Sequence, residues 1–437
     1  MSGFSRRGFI GLGAGAATVA LAGCTGAGST APTAAPSSAA ASVDGKGKTL
    51  RLFSYEATGA LTLLQGVAAK FDAQYGCTTT IDNLPGSGAA VYPDKLRTEL
   101  LGGKGPDVWR IWGGSIGAPY AKAKQALDLS PYYAKYGWDS KISKAAVAGM
   151  TFNGMKAGVP YIVRGLGCWY SKTTFAKAGI TAPPKSYAEL EADNDKLVAA
   201  GITPLGTGGK FGWHIMRLFE YLLEHTAGPD LHDKLLVGSS SWDCPEVVAA
   251  FTLFKKWQDK KWVPEGALGL DPADIEPAYV QGKTAYTLDT ASDETAFIQP
   301  AKVDEAGFGV FALPTDQKPL RHSGWVEGLM VNAKSPNADL AAAFVDFFVS
   351  VSSQNEMQNT SSAVNGAGAD PAKFPLSAEW AKGPGQDPFY TIQDQAFPKL
   401  QADGYFAIQS EVLQGTTTPE AAAKKMQDTV IAPWVKS

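Results

Sequence analysis

Aromatic and acidic side chains set among turn residues are the parts of this chain best suited to chemistry. Trp213 follows Gly208-Gly209-Lys210-Phe211-Gly212, a run in which no helix or strand is expected to persist. It is therefore expected in a loop and not in a core. Trp112 follows a stretch that reads as a strand, and Tyr55 and Glu56 follow another. A planar ring offers its face to the C–H side of a polyhydroxylated ligand, while polar side chains fork onto vicinal hydroxyls. A hydrolase would instead need a nucleophile with its base, a positioned carboxylate pair or a metal cluster. The four histidines, His214, His225, His232 and His322, include no His-Glu-x-x-His. Gly228-Pro229 breaks the helical face that would pair His225 with His232. Neither a nucleophile–base pair nor a metal site is expected, and no cofactor is implied.

These residues must be positioned by regular elements. Thr49-Leu50-Arg51-Leu52-Phe53-Ser54 alternates as a strand. Leu61, Leu64, Ala68 and Phe71 then recur at helical spacing up to Gly76. A second strand is expected from Thr78 to Asp82, with Pro85-Gly86-Ser87-Gly88 as its exit loop. A second helix follows from Tyr92 to Leu101, and a third strand begins at Pro106-Asp107-Val108-Trp109. This β-α-β-α-β order predicts α/β architecture with a mostly parallel sheet flanked by helices. Ligands then lie at the carboxyl ends of the strands: after Ser54, after Asp82, and from Trp112 to Ser115. Further along, a helix is expected from about Ser186 to Ala200. Another starts at Ser335-Pro336-Asn337 with Leu340, Phe344, Phe347, Phe348 and Val351 as one stripe. A last helix has Thr418 as N-cap and Pro419 at its first position.

The N-terminus reads as an address. Ser5-Arg6-Arg7-Gly8-Phe9-Ile10 fits a twin-arginine export signal, although paired arginines also occur in general-secretion signals. The apolar run after it is short and glycine-diluted, against the roughly 20 apolar residues a spanning helix needs. Leu21-Ala22-Gly23-Cys24 resembles the lipobox of bacterial lipoproteins. That resemblance implies a signal peptide over 1–23 and a Cys24 carrying the diacyl anchor, a palmitate-type attachment to the cell membrane. Residues 24–48, rich in Thr, Gly, Ala, Ser and Pro, read as a lipidated flexible tether. The remaining cysteines, Cys77, Cys168 and Cys244, allow at most one disulfide, with the pairing open. A net charge of −3 with 45% hydrophobic residues describes a globular body with no basic field for nucleic acid. Roughly 390 residues after the tether suit two lobes better than one core.

Several signatures then stand in a known order. Gly105-Pro106-Asp107-Val108 is followed by Tyr120-Ala121, Leu127-Asp128-Leu129-Ser130, Gly158-Val159-Pro160-Tyr161 and Trp169-Tyr170-Ser171-Lys172. Phe175-Ala176-Lys177-Ala178-Gly179-Ile180, Ala200-Gly201-Ile202-Thr203-Pro204, Gln281-Gly282-Lys283-Thr284-Ala285 and Leu313-Pro314 complete the series. From residue 49 onward the chain resembles the extracellular solute-binding proteins of the carbohydrate-uptake ABC transporters, relatives of maltose-binding protein. The resemblance implies a periplasmic-binding-protein-like fold of two α/β lobes around a ligand cleft. Three hinge crossings would fall near 160–164, 308–313 and 349–354. Lobe 1 would comprise 49–161 plus 312–350, and lobe 2 would comprise 162–311 plus 351–437. It also implies a monomer on the extracytoplasmic face of the membrane that delivers a sugar or oligosaccharide to a permease, without turnover.

The same resemblance adds residues to the site. Trp325 and Glu327 lie where the family returns to its cleft. Arg164 stands where maltose-binding protein places an acidic contact, so the charge is reversed and a charged sugar stays possible. The family often has a stacking tryptophan after the Gly-Lys segment. This chain reads Leu288-Asp289-Thr290-Ala291-Ser292-Asp293 there, so Asp289 and Asp293 replace it as partners for hydroxyls or for a cationic group. The candidate ligand residues are thus Tyr55, Glu56, Trp112, Arg164, Trp213, Asp289, Trp325 and Glu327. A sensor, a binder of another solute class and a secreted glycoside hydrolase are the alternatives.

Overall fold

The computed structural model describes residues 43–56, 58–84, 91–358, 360–368, 370–383, 385 and 388–435. The export signal, the lipobox with Cys24, residues 24–42 of the expected tether and the Pro85-Gly86-Ser87-Gly88 loop lie outside them. The last residues assigned to the tether already belong to the folded body. Val43 packs on a core, and the Gly47 amide donates to the Gly76 carbonyl at 3.2 Å.

Twelve strands appear among the described residues: β1 (Thr49–Ser54), β2 (Thr78–Asn83), β3 (Val108–Trp112), β4 (Thr151–Phe152), β5 (Met155–Lys156), β6 (Gly158–Gly165), β7 (Gly167–Ser171), β8 (Thr203–Gly206), β9 (Thr284–Asp289), β10 (Phe308–Phe311), β11 (His322–Val331) and β12 (Phe389–Thr391). One sheet runs β12-β11-β3-β1-β2 with β6 also on β11; a second runs β10-β7-β9-β8. The opening β-α-β-α-β unit is parallel, as its local order requires. Elsewhere β11 is antiparallel to both β3 and β6, and β7 is antiparallel to β9 and β10. The sheets are therefore mixed, not mostly parallel. Strands that return from the other half of the molecule enter without a crossover helix, so nothing forces them to run parallel.

Each sheet buries its own core. The first holds Leu52, Phe53, Trp109, Val159, Met330 and Phe344. The second holds Cys168, Phe219, Phe254, Tyr286, Phe311 and Tyr405. The chain passes from β6 to β7 through the single residue Leu166, whose amide donates to the Ser323 carbonyl at 2.9 Å. It passes back between β10 and β11. Beyond the expected third crossing at 349–354, Ala363 and Val364 still pack in the first core, and Ser362 and Val364 bridge to Ile162 and Ile142. Further along, Leu376 and Trp380 join Trp169 and Phe308.

Most helices follow their sequence signals. Ser186 caps Tyr187–Ala199 and Thr418 caps Pro419–Lys425, each hydroxyl accepting an amide three residues on. Val351 departs from its expected stripe: the helix Ala338–Phe348 stops, and Val351 opens a new turn with its side chain exposed. Trp213 departs too. It is the first residue of a long helix, Trp213–Leu236, kinked at Gly228 (φ 69°, ψ 167°). The glycines before it answer a packing need, since a Cβ on Gly212 would lie 2.4 Å from the Phe406 ring and one on Gly208 2.6 Å from the Leu270 carbonyl. Cys77, Cys168 and Cys244 are all free thiols, and only Cys168 is fully buried. Among the described residues no helix is long and apolar enough to cross a membrane.

Candidate functional site

Two walls meet where the two sheets come together. The first is organised by sheet register. On β11, Trp325 stands opposite Arg164 of β6, and Glu327 stands opposite Trp112 of β3. Trp325 and Glu327 are two apart and share a face. The β11–β6 ladder slips at Glu327/Gly328, skipping Tyr161. Such a slip re-aims nearby side chains.

Glu327 is the centre of this wall and only 3% exposed. Its Oε1 accepts from Arg164 Nε at 3.0 Å and Trp325 Nε1 at 2.9 Å. Its Oε2 accepts from Tyr55 Oη and Arg110 Nε, both at 2.9 Å, and from Arg110 Nη2. Burial alone would lift its pKa, but the two guanidinium groups override burial and hold the carboxyl at about 2. Arg110 also pairs with Glu56 Oε1 at 2.6 Å, so Glu56 is buried and not solvated. Trp112 stacks on Tyr55 at 4.2 Å with 14° between the planes, and the Arg110 guanidinium lies 4.0 Å from the same ring. Two groups that close to one centroid must cover opposite faces. Tyr55 thus has neither face free, and the outer face of Trp112 is the one turned away from the stack.

The second wall is built on the helix Trp213–Leu236, where His214 and Arg217 are about one turn apart. Arg217 lies 4.7 Å from the Trp213 ring and 5.8 Å from the Trp325 ring. It donates to the Leu288 carbonyl at 2.7 Å and pairs with Asp289 at 3.0 Å and, more loosely, Glu276 at 3.8 Å. Asp293 accepts from Tyr279 Oη at 3.3 Å. Burial and the Asp289 charge push the Glu276 carboxyl well up. Burial followed by Asp289 and Glu276 does the same to Asp293. Burial works against the charge of Asp289 as well, but Arg217 holds it ionised. His214 is pushed down to about 3 by burial and by Arg217, and is neutral. The walls touch where Arg164 Nη1 donates to Thr290 Oγ1 at 3.2 Å.

All eight expected residues fall in these two walls. Trp112, Trp213, Trp325 and Arg164 are half-buried, while Tyr55, Glu56, Asp289 and Glu327 are enclosed. Four residues that sequence reasoning missed complete them: Arg110, Arg217, Glu276 and His214. Arg110 and Arg217 carried a signal, each being a lone charge inside an apolar run (Val108-Trp109-Arg110-Ile111-Trp112 and Ile215-Met216-Arg217-Leu218-Phe219).

Two groups of residues have the types that a metal site or a nucleophile needs. His214, Glu276 and Asp289 hold donor atoms within 4.8 Å of one another. The Gly208 amide donates to His214 Nδ1 at 3.2 Å, so the neutral ring keeps its proton on Nε2 and has no lone pair there for a metal. Arg217 already supplies the cation. Gly113-Gly114-Ser115-Ile116-Gly117 has the spacing of a nucleophile elbow after a strand. Ser115 Oγ, however, donates to the Phe397 carbonyl and, at 3.5 Å, to that of Asp394, so its proton is committed to main-chain oxygens and not to a histidine base. Two surface hollows, one beside Cys244, Val248 and Leu253 and one beside Leu63, Glu356 and Phe374, lie apart from both walls.

Two sheets with separate cores and a shared polar, aromatic-lined seam define a two-lobed α/β binding protein. The model of the bacterial extracellular solute-binding proteins matches residues 57–355, and the chain belongs to that family. The family is extracytoplasmic, and its members are binding proteins. An uncharacterised ABC transporter extracellular-binding protein of Pyrococcus horikoshii is 24% identical over 94% of this chain and 88% of its own length. A probable sugar-binding periplasmic protein of Mesorhizobium japonicum is 28% identical over 34% of this chain and 35% of its own. Among solved structures, a chitin oligosaccharide binding protein superposes with a TM-score of 0.79 at 25% identity, covering 88% of this chain and 99% of that one.

Proposed function

We propose that this chain is the lipid-anchored solute-binding component of an ABC importer, capturing a sugar or oligosaccharide between its lobes without chemical turnover. One observation carries the reading: Trp112, Trp213 and Trp325 stand half-buried around Arg164, Arg217 and a set of carboxyls. Indole faces suit the C–H sides of a sugar ring, and the charged forks suit its hydroxyl rim. Arg164 reaches from one wall to Thr290 of the other, so a ligand between the walls would engage the groups that join them, as hinge closure requires. Cys24 would carry the diacyl anchor, residues 24–42 would act as tether, and a membrane permease would receive the ligand from the monomeric protein. The names of the relatives, sugar-binding and chitin oligosaccharide binding, support the ligand class.

A thermal-shift panel on the purified protein should yield a stabilising mono- or oligosaccharide. Stabilisation by amino acids, polyamines or phosphate but by no sugar would overturn the ligand class, and product accumulating from a bound sugar would overturn the absence of turnover. Palmitate labelling that persists in Cys24→Ser would remove the anchor.

A further inference from the structure

The two walls differ in charge balance, and the difference points to a ligand group. In the first, Arg110 and Arg164 are matched by Glu56 and Glu327, with every oxygen of Glu327 bonded. In the second, Arg217 is the cation facing Asp289, Glu276 and Asp293, and Asp394 and Glu220 lie within its field. Buried carboxyls in excess of cations are costly unless they are protonated or a cation arrives.

A second, independent feature sits in the same place. His214 is 2% exposed and carries its proton on Nε2, as the Gly208 contact dictates. Glu276 Oε1 is 3.9 Å away, beyond hydrogen-bond reach, and Nε2 has no hydrogen-bond partner. Arg217 Nε is likewise buried with no acceptor. Two enclosed N–H donors on one helix therefore stand in a carboxyl-rich wall and lack a lone pair to bind. Unmet buried donors are costly, and a ligand oxygen reaching both would satisfy them.

A divalent ion would satisfy the carboxyls and leave both donors unmet, besides having to displace Arg217. A neutral hydroxyl would satisfy the donors and leave the carboxyls competing for one guanidinium. Adjacent ammonium and hydroxyl groups answer both needs. We propose that the second wall recognises a sugar bearing a free, protonated amino group. Its ammonium is held by Glu276, Asp289 and Asp293, and the neighbouring hydroxyl oxygen accepts from His214 Nε2 and Arg217 Nε. This rests on the reading of the protein as a sugar binder and names the sugar's class. Selectivity comes from the carboxyls, because acylating the amine removes its charge and leaves the hydroxyl unchanged.

Isothermal titration of the full-length chain in detergent at pH 6.5 tests it, with D-glucosamine and its β-1,4-linked dimer set against the N-acetylated forms and against glucose and cellobiose. The amines should bind at least tenfold more tightly than their acetylated counterparts, and Asp293→Asn should reduce that ratio at least fivefold. Glu276→Gln, at a less enclosed position, provides the same comparison if Asp293→Asn does not fold. Neutral or acetylated sugars binding as tightly as amines would overturn the inference, as would an amine preference unchanged in both variants. No binding of any sugar by folded protein would instead sink the parent reading.

Discussion

The wall around Glu327 and the wall around Arg217 use the same residue types to opposite ends. Around Glu327 five donors meet two oxygens, and the arrangement is complete without a ligand. Around Arg217 acids outnumber the cation and two buried donors wait. A finished network holds side chains in place. An unfinished one stores a preference for whatever completes it. On the proposed reading one wall positions and the other selects, so residues of similar identity take different roles.

The largest effect is expected at Glu327. Glu327→Ala leaves Arg164 with the Thr290 hydroxyl and Arg110 with Glu56 alone, so chemical denaturation should show a loss of about 3–5 kcal/mol, the cost of removing one partner from a buried pair. An Asp289→Ala variant losing more than Glu327→Ala would reverse the assignment of the rigid wall.

pH should separate the walls next. The folded-state pKa of Glu327 lies near 2, below its ordinary value. Its contribution, on the order of 3 kcal/mol, is therefore complete above about pH 4.5 and lost as pH falls toward 2. Asp394 behaves in the opposite sense. Burial raises it to about 6 despite Arg217, so its contribution is complete below the ordinary carboxylate range and lost as pH rises through 6. Denaturation midpoints across pH 2–8 should show the acid limb flattened by Glu327→Gln and the neutral limb flattened by Asp394→Asn. The same flattening from either variant would erase the contrast.

Trp213→Ala should weaken binding of a stabilising sugar by about 1–3 kcal/mol, the range for a truncated interface aromatic, with little change in unfolding midpoint. Unchanged affinity in a binding titration removes Trp213 from the ligand surface. Thr418→Ala, distant from both walls, should cost about 1 kcal/mol of stability through its lost N-cap and leave affinity alone. That makes it the control for any variant whose binding loss is really unfolding.

Much of the scaffold was legible because local patterns determine it. Alternation marked β1 and β2, and hydroxyl caps marked the starts of Tyr187–Ala199 and Pro419–Lys425. The mixed sheets were not legible, since β11 gains its antiparallel partners β3 and β6 from segments far away in the chain. The candidate residues were chosen by type and place, and the two walls gather them, but their partners were hidden. No spacing reveals that Tyr55 is sandwiched between Trp112 and Arg110. The glycine run before Trp213 misled because glycine serves both flexibility and close packing, and here Phe406 and Leu270 require the second.

The guanidinium of Arg217, close to the rings of both Trp213 and Trp325, has one more consequence. An indole's emission responds to charge near its ring, so any ligand that enters between Arg217 and either ring will recolour the protein's own light. Occupancy can then be followed by ultraviolet spectroscopy with no dye attached. Trp213→Phe and Trp325→Phe would tell which of the two rings is the lamp.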